Sequence, residues 1–468
     1  MRVLLVRHHD IGNINTRLPE SVNKVQGIYP PLGLLYIASS LRIAGYEVKF
    51  IDSQALNLTT QELKREIKKF DPNVIATMAM TSTLKGALEV CKLAKEVSKE
   101  IKTVIGGPHM YIFPKETVSY DFVDFGVSGE GEFRIIELLE FLKGKKKIQH
   151  IDGLTYKKGK KIHHIPVKRY IKDINLIPFP SRDIIQINKY YSIISLHPFT
   201  TMITSRGCPF NCSYCFKSPI DRYIRFRSKE NTIAEIEQCL NNFKLKEIWF
   251  YDDTFTLNRK HVEGICNEII ARNIKFKWEA PTRVDTIDFK LLKLMKKAGC
   301  LRLRLGIESG NSRILKLMKK GINKRQIEKA IKMCKKVGIE TFCFFMLGYP
   351  TETEKEMKKT IDFAIKLNPD WAMFSITTPY PETELYKFAG ELGLVDSDYW
   401  RSFTLNKANE RMPYCAENVE HYTKIAYRKF YFRPRFIINL LLNTKDISQF
   451  KKYFDGFLAL TKFKIIPV

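Results

Sequence analysis

Residues 199–215 read Phe-Thr-Thr-Met-Ile-Thr-Ser-Arg-Gly-Cys-Pro-Phe-Asn-Cys-Ser-Tyr-Cys. Thr200–Thr204 has the composition of a buried strand. The chain then leaves it through Arg206 and Gly207 for a loop that holds three thiols within eight residues, Cys208, Cys212 and Cys215. Strands of similar character follow at Glu247–Tyr251, Phe276–Ala280, Leu301–Ile307, Thr341–Leu347 and Trp371–Thr377. Helical segments such as Thr232–Asn241, His261–Arg272, Phe289–Ala298, Lys324–Val337 and Glu354–Leu367 separate them. Six β/α units in series are too many for one mononucleotide-binding half, and they predict a partial (β/α)6 barrel over residues 196–385. Barrel sites form at the carboxyl ends of strands, where Arg206, Asp252, Thr282, Glu308 and Gly348 fall.

Upstream, residues 1–145 alternate strands (Arg2–Arg7, Glu47–Ile51, Val74–Met80, Lys102–Ile105, Val123–Val127) with helices (Leu32–Ala44, Thr60–Lys69, Ala87–Glu100, Phe133–Leu142). This alternation predicts an α/β domain with a doubly wound, Rossmann-like parallel sheet. Its ligand crevice should lie outside the carboxyl ends of the strands, at the loops after Met80, Ile105 and Val127. Residues 146–195 read as a small hairpin around Gly159 and a linker marked by Pro178 and Pro180. Residues 386–468 read as a small, mainly helical region, with helices expected at Tyr422–Tyr431 and Arg435–Leu442.

Composition narrows the class of protein. Of 468 residues, 44% are hydrophobic and 27% charged, as in a folded chain with a sizeable core. Lys plus Arg number 78 against 50 Asp plus Glu, a formal charge of +28 that favours anionic partners. No apolar run approaches the roughly 20 residues of a membrane span. The opening Met1-Arg2-Val3-Leu4 is strand-like rather than a secretory leader, so a cytoplasmic protein is expected. Lysines such as Lys64, Lys68, Lys69, Lys293, Lys296, Lys297, Lys316, Lys319 and Lys320 are spread along helices and read as solvated faces, without a nucleic-acid stripe. The C-terminal region pairs bulky apolar groups with cations, which reads first as helices packed on the barrel and second as a peripheral membrane contact serving a hydrophobic or lipid small-molecule substrate. Seven further cysteines stand singly and read as buried thiols of a reducing compartment.

Three thiols spaced C-x-x-x-C-x-x-C in one loop suit one metal centre. A structural zinc site would be closed by four ligands, and ferredoxin-type clusters use four cysteines. Three thiolates on a 4Fe–4S cluster leave one iron open. With Tyr214 before the last cysteine, the motif resembles the signature of the radical S-adenosylmethionine (SAM) superfamily. That resemblance implies that Cys208, Cys212 and Cys215 hold the cluster and that SAM chelates the open iron. It further implies that one-electron cleavage of the sulfonium yields a 5′-deoxyadenosyl radical. Strand-end positions similar to those holding SAM in the family are Asp252-Asp253, Thr282-Arg283, Glu308-Ser309 and Gly348. The methionyl-amine site in the family usually reads Gly-Gly-Glu, and the two aspartates here depart from it. Asp252 and Asp253 also read as helix caps.

Pro30-Pro31-Leu32-Gly33, Gly45-Tyr46, Gly106-Gly107-Pro108-His109 and Gly129-Glu130-Gly131 together make the first domain resemble the cobalamin-binding domain that precedes the barrel in the class of magnesium-protoporphyrin monomethyl ester cyclases and hopanoid methylases. The glycines suit a flat corrin, which needs backbone without side chains at its edge. Thr81, Ser82 and Thr83 supply hydroxyls for its amides or nucleotide tail. The D-x-H-x-x-G motif that places a histidine under cobalt is absent, so no axial ligand of that type is expected. The combined resemblance implies a cobalamin-dependent methyltransferase acting on an unactivated carbon, fed by a donor such as flavodoxin or ferredoxin. Radical cyclisation or oxidation without methyl transfer is the second enzymatic reading, and a non-catalytic cobalamin or redox sensor the third.

Overall fold

Alternation along each strand decides which side chains reach the interior. In the first strand Val3 and Leu5 pack against one layer of helices and Leu4 and Val6 against the other, all four fully buried, as a parallel sheet covered on both faces requires. The computed structural model describes residues 1–9, 27–408, 412–434 and 436–438. Strands β1 (Arg2–Arg7), β2 (Glu47–Asp52), β3 (Val74–Met78), β4 (Lys102–Gly106) and β5 (Phe125–Val127) pair in parallel in the order β2-β1-β3-β4-β5. Helices α1 (Leu32–Ile43) and α4 (Gly131–Leu142) cover one face, and α2 (Thr60–Phe70) and α3 (Leu84–Val97) the other. Reversal of strand order falls between β1 and β3, the switch point at which such sheets bind ligands.

The segment expected to be a hairpin and linker is more than a connector. Its hairpin, β6 (Leu154–Lys158) and β7 (Lys161–His164), pairs antiparallel with β5 and extends the first sheet to seven strands. The rest is a buried strap. Tyr190 donates its hydroxyl to Asp52 at 2.8 Å, and Arg182 donates to Thr201 O at 2.7 Å and to Glu235 at 2.6 Å. Arg182 and Glu235 are wholly buried, so the strap carries a charge pair that would be costly to break.

The second sheet holds β8 (Phe199–Met202), β9 (Glu247–Phe250), β10 (Lys277–Thr282), β11 (Cys300–Glu308), β12 (Glu340–Leu347) and β13 (Trp371–Ile376), all parallel and in sequence order. Helices α5 (Lys229–Phe243), α6 (Arg259–Ala271), α7 (Phe289–Lys297), α8 (Lys324–Val337) and α9 (Glu354–Leu367) wrap its outer side. On β11, Leu303, Leu305 and Ile307 bury fully against these helices, while Arg304, Gly306 and Glu308 line the interior. This is the partial (β/α)6 barrel expected, with strand ends within about two residues of those read from sequence.

The C-terminal region does two things. Helix α10 (Tyr399–Thr404) packs Trp400 and Phe403 with Ala79, Leu84 and Ala87 of the first domain. Helix α11 (Val419–Tyr431) covers the free edge of β13, where Tyr431 donates to Ala372 O at 2.6 Å. The second helix expected, Arg435–Leu442, falls largely outside the described residues, as does the tail from Asn443. No helix among the described residues is long and apolar enough to cross a membrane. The seven scattered cysteines are buried and free, as expected.

Candidate functional site

Gly207 opens the thiol loop at φ +98°, where a Cβ would come within 2.5 Å of Tyr223 O, so only glycine lets the chain turn here. Cys208 N–H donates to Asp221 O at 2.9 Å and Lys217 donates to Cys208 O at 2.9 Å. At the other end Ser213 N–H donates to Met318 O at 3.0 Å. The loop is thus tied to the segment that follows it and, through Met318, to the barrel.

All three thiols line a cavity of about 700 Å³ at the carboxyl ends of the barrel strands. Cys212 and Cys215 are in thiol contact, and the hydrogen bond from Cys215 pulls the Cys212 thiol down to about 6, with Lys320 and Arg283 adding to the effect against burial. The same bond pushes Cys215 up. Among the described residues no three His, Cys, Asp or Glu side chains converge on a ready-made ion site. Ligands of a multi-iron cluster surround it rather than meet at a point, so three thiols lining one cavity fit such a cluster.

Two cationic side chains line the same cavity beside the thiol loop. Arg283 stacks over the Phe210 ring at 3.7 Å, grips Asp285 with two nitrogens at 2.8 and 2.9 Å, and donates to Lys320 O at 2.8 Å. Lys320 in turn donates to Glu308 at 2.7 Å and to the Tyr214 hydroxyl at 3.1 Å. Burial opposes the Lys320 charge, but Glu308 outweighs it and the ammonium is stabilised. Lys320 corrects the sequence reading, which placed it among solvated lysines. The short helix before it ends at Leu317, so Lys320 falls off the helical period and turns inward. The remaining wall is apolar, with Phe344, Met346 and Met373 beside Ser375, and Arg304 below.

Several expected SAM contacts do not line this cavity. Asp252 is buried and accepts from Thr204 N–H at 2.7 Å and from the hydroxyls of Thr204 and Ser205 at 2.6 Å each. A strand-end carboxylate so saturated is a tie between β8 and β9, and Asp253 is the one that lines the cavity. Ser309 is buried against Thr360 at 3.1 Å. Gly348 donates to Glu352 at 2.7 Å and takes φ +81°, a turn that shapes the loop. Arg283, Glu308 and Tyr214 do line it.

A second cavity, about 680 Å³, opens at the carboxyl edge of the first sheet and runs to the thiol loop. Gly106, Gly107, Pro108, Gly129, Glu130 and Gly131 line it as expected. Gly107, at φ +93°, would place a Cβ 2.8 Å from Ala79 O. Thr77 also lines the cavity, and its hydroxyl is buried with no hydrogen-bond partner. Such an orphan calls for a polar ligand, and beside glycine backbone it fits a corrinoid rich in amides. Thr81, Ser82, Thr83 and His109 do not line the cavity. His109 is held between the Thr81 hydroxyl at 3.1 Å and the Thr117 hydroxyl at 2.9 Å, and burial lowers its pKa to about 3. Thr83 caps Met80 N–H at 3.1 Å, and Ser82 meets Tyr380. Glu130 spends its carboxylate on Arg206, Arg225 and Ile171 N–H, at 2.9, 2.7 and 2.7 Å. Cys208, Cys215 and Asp253 line both cavities, so the two meet at the thiol loop.

A model of the radical SAM superfamily matches residues 202–364, and a model of the B12 binding domain matches residues 21–139. The chain is 38% identical over 423 residues to an uncharacterized methyltransferase of Pyrococcus horikoshii, covering 90% of each. It is 29% identical over 376 residues to the anaerobic magnesium-protoporphyrin IX monomethyl ester cyclase of Rubrivivax gelatinosus, covering 79% of this chain and 68% of that one. The solved radical S-adenosylmethionine methyltransferase TsrM from Kitasatospora setae, with cobalamin and a 4Fe–4S cluster bound, matches 84% of this chain and 78% of its own at 18% identity and a TM-score of 0.66, a likeness of fold.

Proposed function

The chain belongs to the radical SAM superfamily and carries a B12 binding domain ahead of the barrel, and on that premise we propose that it is a cobalamin-dependent methyltransferase acting on an unactivated carbon of a small molecule. One observation carries the reading: the thiol cavity and the glycine-edged cavity share Cys208, Cys215 and Asp253, so a group held in one abuts a group held in the other. When bound, the cluster with SAM supplies radical hydrogen abstraction, and cobalamin supplies the methyl group.

The chain's own residues bind and orient. Cys208, Cys212 and Cys215 ligate the cluster. The Lys320 ammonium would attract an anionic group of a ligand bound in the cavity, and Glu308 fixes Lys320 in place. Arg283, held by Asp285 and stacked on Phe210, keeps Lys320 against the cavity. Asp253 suits an ammonium group between the two chambers. Phe344, Met346 and Met373 exclude water from the far wall and favour an apolar substrate. For the cell we propose a cytoplasmic enzyme served by an acidic electron donor of the ferredoxin or flavodoxin kind, to which a chain of net charge +28 is electrostatically suited.

The test is a mass balance. Anaerobically reconstituted protein, supplied with cobalamin, SAM and a strong reductant, should release both S-adenosylhomocysteine and 5′-deoxyadenosine. 5′-Deoxyadenosine alone would move the activity to radical cyclisation or oxidation, the chemistry suggested by the likeness to the cyclase. Unchanged SAM would leave only the sensor.

A further inference from the structure

We propose that Arg304 anchors an anionic head group of the substrate, a carboxylate or a phosphate, at the floor of the thiol cavity. The proposal deepens the reading above and rests on it, since it takes this cavity to be the one that receives substrate. Arg304, Gly306 and Glu308 follow one another on the interior face of β11. At about 3.3 Å per residue, Arg304 lies roughly 13 Å deeper in the barrel than Glu308. Gly306, between them, adds no side chain to the wall.

Arg304 differs from the other cations of the cavity in how it is held. Arg283 and Lys320 each have a carboxylate of their own, Asp285 and Glu308. Among the described residues Arg304 has a share of one. Its Nε meets Glu279 Oε1 at 2.5 Å, while the other oxygen of Glu279 accepts from Arg302 at 2.6 Å. Arg302, one layer deeper, also draws on Glu340 at 2.8 Å and Glu247 at 3.9 Å. Burial opposes the charge of Arg304, but Glu279 outweighs it and the guanidinium stays cationic.

Aromatic rings hold the rest of the group. Trp249 lies under the guanidinium at 4.2 Å, with Tyr251 at 5.8 Å and Phe342 at 5.9 Å. Stacking of this kind uses the face of the fork and leaves its N–H groups for acceptors. Of the five N–H donors of a guanidinium, Glu279 and the Tyr251 hydroxyl account for two. The side chain is 16% exposed and lines the cavity. A fork with donors to spare matches a carboxylate or a phosphate. Phe344, Met346 and Met373 line the same cavity, so the substrate class is an amphiphile: its anionic head sits on Arg304 and its apolar body runs along these side chains toward the thiol loop.

Equilibrium dialysis of four probes against the full chain, reconstituted with its cluster and loaded with SAM, tests this without turnover. Octanoate and octyl phosphate carry the anionic head, while octanol and octylamine present the same tail without it. Each anion should bind at least about tenfold more tightly than octanol, octylamine should bind most weakly, and the tighter anion identifies the head group. Arg304→Met removes the charge and leaves Glu279 to Arg302. It should bring both anions down to the affinity of octanol and leave octanol itself unchanged. A general attraction to the net charge of +28 would survive that substitution. Wild-type protein that binds neither anion, or holds octanol as tightly as both, overturns the inference. So does an Arg304→Met protein that keeps the preference for anions. Should Arg304→Met fail to fold, Arg304→Lys decides: loss of the fork should weaken both anions by at least about threefold, and wild-type affinity there overturns the inference equally. Protein that shows the head-group preference but leaves SAM unchanged under a strong reductant would instead overturn the methyltransferase reading.

Discussion

Glu130→Ala should destabilise the protein by about 3–4 kcal/mol, although Glu130 lies on the wall of the second cavity. Its carboxylate bridges the two domains, accepting from Arg206 at 2.9 Å, Arg225 at 2.7 Å and Ile171 N–H at 2.7 Å. The side chains of Glu130 and Arg225 are 10% and 7% exposed, and that of Arg206 19%. Removing one partner of a buried ion pair costs about 3–5 kcal/mol because the other charge is stranded. Arg206 keeps Glu132 at 2.5 Å, so only Arg225 is stranded, with Ile171 O at 2.6 Å for company. That puts the ionic loss at the low end, and the unsatisfied Ile171 N–H adds about 1 kcal/mol. For domains of this size the melting temperature should fall by about 6–16 °C. Circular-dichroism melts of the cofactor-free protein would measure it, and separate domain transitions are to be expected where the clamp is lost. Adding Arg225→Met removes the stranded charge and should restore at least about 1 kcal/mol. A Glu130→Ala protein within about 1 kcal/mol of wild type, or a double variant no more stable than the single, would refute the reasoning.

Other outcomes follow from the same geometry. Asp252→Ala should lower stability by about 2–3 kcal/mol by orphaning Thr204 N–H and the Ser205 hydroxyl, the Thr204 hydroxyl keeping His261 at 3.0 Å, while the folded protein keeps its SAM affinity in equilibrium dialysis, whereas Asp253→Ala should weaken SAM binding at least about tenfold, or about 1.4 kcal/mol. Gly306→Ala would place a Cβ 2.4 Å from Glu308 Oε1 and 2.7 Å from Lys320 Nζ; these flexible ends move aside, so the fold should survive and SAM affinity should drop. His109 has a folded pKa depressed to about 3 from 6.5, so the unfolded chain takes up the proton first. Its contribution to stability is therefore whole above about pH 6.5 and lost as pH falls toward 3, and denaturant titrations of His109→Gln should show a flatter acid limb. Cys212→Ala should abolish the iron and sulfide content of reconstituted protein while corrinoid retention persists.

The residues of the first domain show where sequence reading stopped. Gly106, Gly107 and Gly129 were legible as cavity edge, because a flat ligand and a strand-end turn demand the same side-chain-free backbone. Thr81, Ser82, Thr83 and His109 sit beside them in sequence but turn into the protein. A short 3-10 turn over Thr81–Thr83 rotates successive hydroxyls onto different partners, and no periodicity announces that.

By itself the sequence determined the succession of strands and helices along the chain, the doubly wound domain, the six-unit barrel and the thiol loop, because hydrophobic periodicity and a local spacing of cysteines are properties of contiguous residues. Only the tertiary structure decided which polar groups line the cavities. Lys320 and Asp252 exchange the roles their positions suggest, since a pairing such as Lys320 with Glu308, or Asp252 with Thr204 and Ser205, is made between elements remote along the chain. Desolvation makes those pairings compulsory: a buried charge must find its partner wherever the fold brings one.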